Sequence, residues 1–264
     1  MRSRRQGRGF TLIELVMVIL LLGVMATFSS QFIGIGTQIY GEASRREQLM
    51  SDARFAMERL NRELRDAVPG SVRIEDVDGK LVERGACLRF WPIATASRYL
   101  GSAISSGLTI VTPNILPTDK DWGIVYPLPD TTPGNLNTLD KGCIHGNCVA
   151  RVSGVGNAAS GALPLTMAGS FSKDSPGLRA FFANQQVLYC MKGESLWRMA
   201  KSLSDGLSSS ETTQLMAEHI RPASYYFYRD PAAFSPSEVG LRLVFEQRGE
   251  SVSFNHKLEV LNVP

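Results

Sequence analysis

The chain has 264 residues, 44% hydrophobic and 20% charged, enough for one membrane anchor and one or two globular units, with no low-complexity stretch and no internal repeat. Its formal charge is +3, but Arg2, Arg4, Arg5 and Arg8 crowd the N-terminus, and without them 24 basic side chains face 25 acidic ones. That balance leaves no basic footprint for nucleic acid.

The first element is an apolar run behind a basic leader. Four arginines with no acid before Glu14 predict an N-terminus kept in the cytoplasm. From 10 to 28 the chain runs 19 residues with Glu14 as its only charge, close to the roughly 20 a spanning helix needs. Ten Leu, Ile and Val residues between Leu12 and Val24 contribute about −3 to −6 kcal/mol to insertion, against about +2.5 to +3.5 for a central acid, and Glu14 lies near the helix end, where it costs less. The expected topology is single-pass, N-terminus inside and the remainder outside. An ordinary secretory signal, cut after Ala26 in Val24-Met25-Ala26, is the alternative. Thr11 and Glu14 also have the spacing of a capping box, in which each side chain serves the other's backbone N–H.

Gly9-Phe10-Thr11-Leu12-Ile13-Glu14-Leu15 behind a short basic leader resembles the class III signal of type IV pilins and pseudopilins. The resemblance implies that a prepilin peptidase removes residues 1–9, cutting between Gly9 and Phe10, and methylates the new amine of Phe10. It also implies that Glu14 pairs with the N-terminal amine of a neighbouring subunit and so sets axial register in a filament. A carboxylate in an apolar core is tolerable only when paired or fully hydrogen-bonded. The partners it implies are the peptidase, other minor and major pilins, an inner-membrane assembly platform and membrane lipid.

Beyond the apolar run the helix is expected to continue to 68, about 88 Å from residue 10 at 1.5 Å per residue. Apolar residues recur at Leu49, Ala53, Met57, Leu60, Leu64 and Ala67. The other faces carry charges at i,i+4: Arg54 with Glu58, Glu58 with Arg62, Arg59 with Glu63, Arg62 with Asp66. Gly34 and Gly36 mark either a bend or a thin helix surface against a neighbour. Arg45-Arg46 reads as helix surface or as a contact to lipid headgroups. Pro69-Gly70 stops the helix.

From 69 to 264 short apolar runs divided by Gly, Pro, Asn, Asp and Ser predict an antiparallel β-domain packed on the helix stripe, an α+β, pilin-like fold. A hairpin joins 72–77 to 80–83 across Asp78-Gly79. Further strands are expected at 87–91, 108–111, 123–126, 178–182, 186–191, 195–199, 223–228, 239–246 and 251–260, with turns at Lys192-Gly193-Glu194 and Arg248-Gly249. Residues 92–170, proline-rich and small, read as an insertion or irregular loops.

Cys87, Cys143, Cys148 and Cys190 are even in number and all lie in the part expected outside, as disulfides require. Of three possible pairings, Cys143 with Cys148 and Cys87 with Cys190 are favoured, the first as a short local loop and the second as two strand positions. A metal held by Cys143, His145 and Cys148 is the alternative, weakened by an unusual C-x4-C spacing and the lack of a second ligand cluster. No enzyme is expected, and no cofactor. His145, His219 and His256 are far apart, no nucleophile motif accompanies them, and the glycine-rich run 154–161 lacks the lysine of a phosphate loop. Aromatic clusters at Phe181-Phe182 and Tyr225-Tyr226-Phe227-Tyr228 read as core.

Arg54-Phe55-Ala56-Met57-Glu58-Arg59-Leu60, Arg62-Glu63-Leu64-Arg65, Val187-Leu188-Tyr189-Cys190 and the closing Leu261-Asn262-Val263-Pro264 resemble MshO-type minor pilins of mannose-sensitive haemagglutinin pili, and more loosely PilW-type minor pilins and J-type pseudopilins. That resemblance implies a minor subunit that initiates or caps a type IV pilus. A type II secretion pseudopilin and a secreted binding domain are the other readings.

Overall fold

The computed structural model describes residues 11–127, 146–203, 212–229, 238–247 and 249–260. The fold is α+β: one long helix, α1 (Leu12–Arg65), followed by a sheet-rich domain. The chain divides into two compact units, residues 1–48 and 49–264.

In the first unit α1 is continuous, and its large side chains from Leu12 to Tyr40 are exposed all round. In the second, the expected stripe is buried: Leu49, Ala53, Leu60 and Leu64 are inside, with Ala56 beside them and Met57 only partly covered. The helix ends at Arg65, three residues before the expected 68. Asp66, Ala67 and Val68 turn to pair with residues 91–93, Ile93 N–H donating to Asp66 O (2.8 Å) and Val68 N–H to Trp91 O (2.8 Å).

Fifteen strands follow among the described residues. β1 (Arg73–Glu75), β3 (Cys87–Phe90), β10 (Gln185–Lys192), β11 (Ser195–Ser202) and β12 (Thr212–Ala217) make one antiparallel sheet in the order β1-β3-β10-β11-β12. β15 (Glu250–Glu259), β14 (Glu238–Gln247), β13 (Phe227–Tyr228) and β2 (Arg84–Gly85) make a second, in that order. Both sheets pack on the helix stripe in one core, where Ile74, Phe90, Val187 and Tyr189 of the first meet Leu241, Leu243 and Phe245 of the second.

Turn chemistry places the hairpins where expected. Lys192 faces Ser195 across a two-residue turn with Gly193 at φ 63°, and Gln247 faces Glu250 with Gly249 at φ 87°, the left-handed region glycine occupies without strain. The Asp78-Gly79 turn also forms, its Asp76 carboxylate accepting from Asp78 and Lys80 N–H. Its returning strand shrinks to the single bridge Glu75–Leu81, because β2 pairs with β13 instead. Of the strand expected at 223–228 only β13 forms. Gly240 lies beneath the Tyr228 ring, so a methyl group there would fall inside contact distance. Gly240→Ala is expected to cost about 1–3 kcal/mol in denaturant unfolding.

Of the two readings of 92–170, the insertion holds and the irregular loops are corrected; the strands expected at 108–111 and 123–126 form as two of its members. β4 (Thr95–Leu100), β5 (Gly107–Val111), β6 (Trp122–Val125), β7 (Val149–Val155) and β8 (Ala162–Met167) close with β9 (Arg179–Ala183) into a barrel, in the order β4-β5-β8-β7-β6-β9. It is inserted between β3 and β10, which pair directly beneath it through Phe90 and Val187. Its interior holds Tyr99, Leu108, Ile110, Val152, Leu163, Leu165 and Phe182. β8 carries Pro164. Its carbonyl accepts from Gly156 N–H on the β7 side, so its missing N–H falls where β7 has just ended at Val155.

Candidate assembly interface

Three kinds of side chain carry the sequence-level site: the acid of the apolar helix, the residues around it, and the cysteines. Glu14 lies in the first turn of α1 and forms the expected capping box. Thr11 N–H and Thr11 Oγ1 both reach Glu14 Oε2 at 3.4 Å, while Glu14 N–H donates to Thr11 Oγ1 at 3.4 Å. The carboxylate is thus engaged at its own helix start, by the Thr11 hydroxyl and one orphan backbone donor, Thr11 N–H, while the second, Glu14 N–H, goes to Thr11 Oγ1. Gly9 and Phe10 lie outside the described residues.

The rest of the segment is built for an apolar medium. Thr27 donates to Val24 O (2.7 Å), Ser30 to Thr27 O (2.9 Å) and Thr37 to Gly34 O (2.9 Å), so these hydroxyls are spent on their own backbone. The helix is long and apolar enough to cross a membrane, and none of that window is buried within the chain. So large a contiguous apolar surface marks an interaction with lipid or with other helices. Nothing lies within 4 Å of where a Cβ would stand on Gly34 or Gly36, so among the described residues nothing packs into the thin surface they leave. Arg46 is exposed, whereas Arg45 is half-buried with its guanidinium beside Gly41.

On the helix part of the second unit, one of the four expected i,i+4 pairs forms among the described residues, Arg59 with Glu63. Glu63 does more than the surface role read from spacing. Both its oxygens accept from Arg198 Nε of β11 (3.0 and 2.8 Å), and Tyr189 of β10 donates its hydroxyl at 3.1 Å. The Glu63 carboxylate, by hydrogen bond and then by charge, holds the Arg59 guanidinium above its ordinary pKa. Sequence reasoning missed this cluster; Arg198 and Tyr189, alternating with apolar residues on two strands predicted to face the helix stripe, were the available signal.

Cys87 and Cys190 form the expected disulfide, with Cα atoms 4.1 Å apart and directly opposed on β3 and β10. Cys148, just before β7, is also disulfide-bonded, which removes it as a thiolate metal ligand. Cys143 and His145 lie outside the described residues. His219 sits at φ 61° with its Nε2 3.0 Å from Gln247 Nε2, and His256 is on β15 opposite Leu241. Phe181 and Phe182 are buried in two different cores, and Tyr226 and Phe227 in a third. The glycine-rich run 154–161 ends β7 and turns into β8.

Residues 4–30 match the family described as the prokaryotic N-terminal methylation motif. No curated protein and no solved structure matches the chain. The motif supports a type IV pilin or pseudopilin, and with it processing by a prepilin peptidase and assembly with other pilins. With the apolar helix it fits a single-pass inner-membrane protein.

Proposed function

We propose that this chain is a minor pilin of the MshO kind, cleaved between Gly9 and Phe10, methylated on Phe10, and stored in the inner membrane with its β-domain in the periplasm. From there it enters, with other minor pilins, a complex that initiates or caps a type IV pilus of the MSHA type. The observation that carries this reading is a methylation-motif segment of α1 whose apolar side chains from Leu12 to Tyr40 are left uncovered and whose one acid, Glu14, is engaged among the described residues by Thr11. The chemistry is assembly rather than turnover. In lipid the capping box satisfies the Glu14 carboxylate locally. In the fibre the Phe10 amine of a neighbour is the stronger partner, since two charges 4 Å apart attract by about 4 kcal/mol at an effective dielectric of 20. The disulfide-bonded β-domain then selects which neighbours fit.

The first test is the intact mass of the protein extracted from its native membranes. A product starting at methylated Phe10 supports the pilin pathway, and one starting after Ala26 removes it in favour of a secreted domain. Glu14→Ala is expected to leave processing intact and to reduce incorporation into fibres by about tenfold or more, as loss of that pair implies. Normal piliation in the mutant would refute the register role. Deleting the gene separates a pilus subunit, whose loss removes surface fibres, from a secretion pseudopilin, whose loss blocks enzyme export.

A further inference from the structure

β15 is the longest strand edge with no partner among the described residues, and its hydrogen-bonding direction can be worked out. In β14, Arg242 N–H donates to Tyr226 O, Val244 O accepts from Arg221, and Glu246 N–H donates to His219 O, so the even residues of β14 point away from β15. The odd residues of β14 therefore serve β15. Their opposites are Glu250, Val252, Phe254, His256 and Leu258. This leaves the backbone N–H and C=O groups of Ser251, Ser253 and Asn255 turned outward.

Exposed edges are normally blunted by proline, a bulge, an inward charge or a lysine. Here ten residues pair with β14 in unbroken register, without proline or bulge, and no charge falls between Ser251 and Asn255. Lys257, the one lysine, is drawn sideways onto Glu238 at 2.7 Å.

We infer that this edge joins a second copy of the chain, two β15 strands pairing antiparallel about a twofold axis through Ser253. That register puts Ser253 opposite Ser253 and Ser251 opposite Asn255 as hydrogen-bonded pairs, using every outward group of the three residues. On the core-side face it sets Val252 against Phe254 and Glu250 against His256, apolar with apolar and acid with imidazole. Shifting the axis to Phe254 sets Glu250 against Leu258 and Val252 against His256, and shifting it to Val252 sets Glu250 against Phe254. Of the registers centred on Val252, Ser253 and Phe254, the one at Ser253 alone matches apolar with apolar and acid with imidazole, and a strand that complements itself in this way favours a copy of this chain over an unrelated strand.

The test uses the full chain in detergent, where no described cysteine is free to compete. Hydrogen-bonded antiparallel partners have Cα atoms about 5.5 Å apart, within disulfide reach. Under mild oxidation Ser253→Cys is expected to give a covalent dimer at least about tenfold more efficiently than Ser251→Cys or Asn255→Cys alone, while a mixture of the last two cross-links with each other. Ser253→Pro removes the central outward N–H without touching the β14 ladder, and is expected to halve the light-scattering mass with an unchanged melting temperature. A Ser253→Cys chain that stays monomeric, or that cross-links no better than the other two, overturns the proposal, as does an edge occupied by a different protein. The same cross-link made in a Glu14→Ala background separates this contact from helix-driven assembly, so either can fail alone.

Discussion

Glu63→Ala is expected to destabilise the second unit by about 3–5 kcal/mol, although Glu63 reads from sequence as one of several surface acids. Arg198 is 9% exposed and Glu63 14%, and the pair is joined by two hydrogen bonds of 3.0 and 2.8 Å. Cutting away the carboxylate leaves a guanidinium inside with no counter-charge, together with the Tyr189 hydroxyl that donated to it. Leu60→Ala, one turn earlier, loses only packing, about 2–5 kcal/mol. The two are told apart by Glu63→Ala combined with Arg198→Met: if the orphaned charge dominates, the double variant recovers much of the loss in denaturant unfolding. A single variant within about 1 kcal/mol of the parent would refute the role of the cluster. The cluster also carries a pH signature. Burial first and the Glu63 charge second push the Tyr189 phenol above its usual value near 10. A raised folded-state pKa stabilises the fold below the unfolded value and loses that contribution as pH climbs beyond it, so the parent should weaken above about pH 10.

Replacing Cys87 and Cys190 together by alanine is expected to cost about 2–5 kcal/mol, and the topology explains why the figure is large. The bond spans a separation of 103 residues, for which chain entropy alone predicts about 4.7 kcal/mol. The spanned segment contains the whole barrel, which leaves the first sheet after β3 and returns at β10. The disulfide therefore ties the two ends of the insertion at its base and restricts the unfolded chain more than it tightens the folded one. Oxidised parent and double variant should differ in denaturant midpoint, and the variant should show the steeper slope, because its unfolded state exposes more surface. Equal midpoints would show that β3 and β10 hold the base without the bond.

Much of the helix was legible in the sequence because its signals are local. The buried positions Leu49, Ala53, Ala56, Leu60 and Leu64 repeat every three or four residues, and the apolar run from 10 to 28 has the length of a membrane span. Gly193 and Gly249 mark their turns for the same reason, since a left-handed backbone is a property of one residue. The paired cysteines of β3 and β10 could be favoured in sequence because each sits on a predictable apolar strand. The barrel could not. β4 carries Thr95, Ser97 and Arg98, β8 carries Pro164, and β7 is broken by a bulge between Val152 and Gly154, so each strand alone looks like a loop. Their common signal, Leu163, Leu165 and Met167 alternating inward, gains meaning only once β5 and β7 flank β8.

The sequence by itself determined the methylation-motif segment, its apolar run with one acid, the amphipathic stripe and the tight turns, because each depends on residues within a few positions of one another. Only the tertiary structure decided that 95–183 closes into a barrel, that Glu63 answers Arg198 rather than water, and that β15 is the last of the described strands in its sheet. Those outcomes rest on which distant strands become neighbours, and pairing over a hundred residues is won by shared burial and complete hydrogen bonding, quantities that no short window of sequence contains.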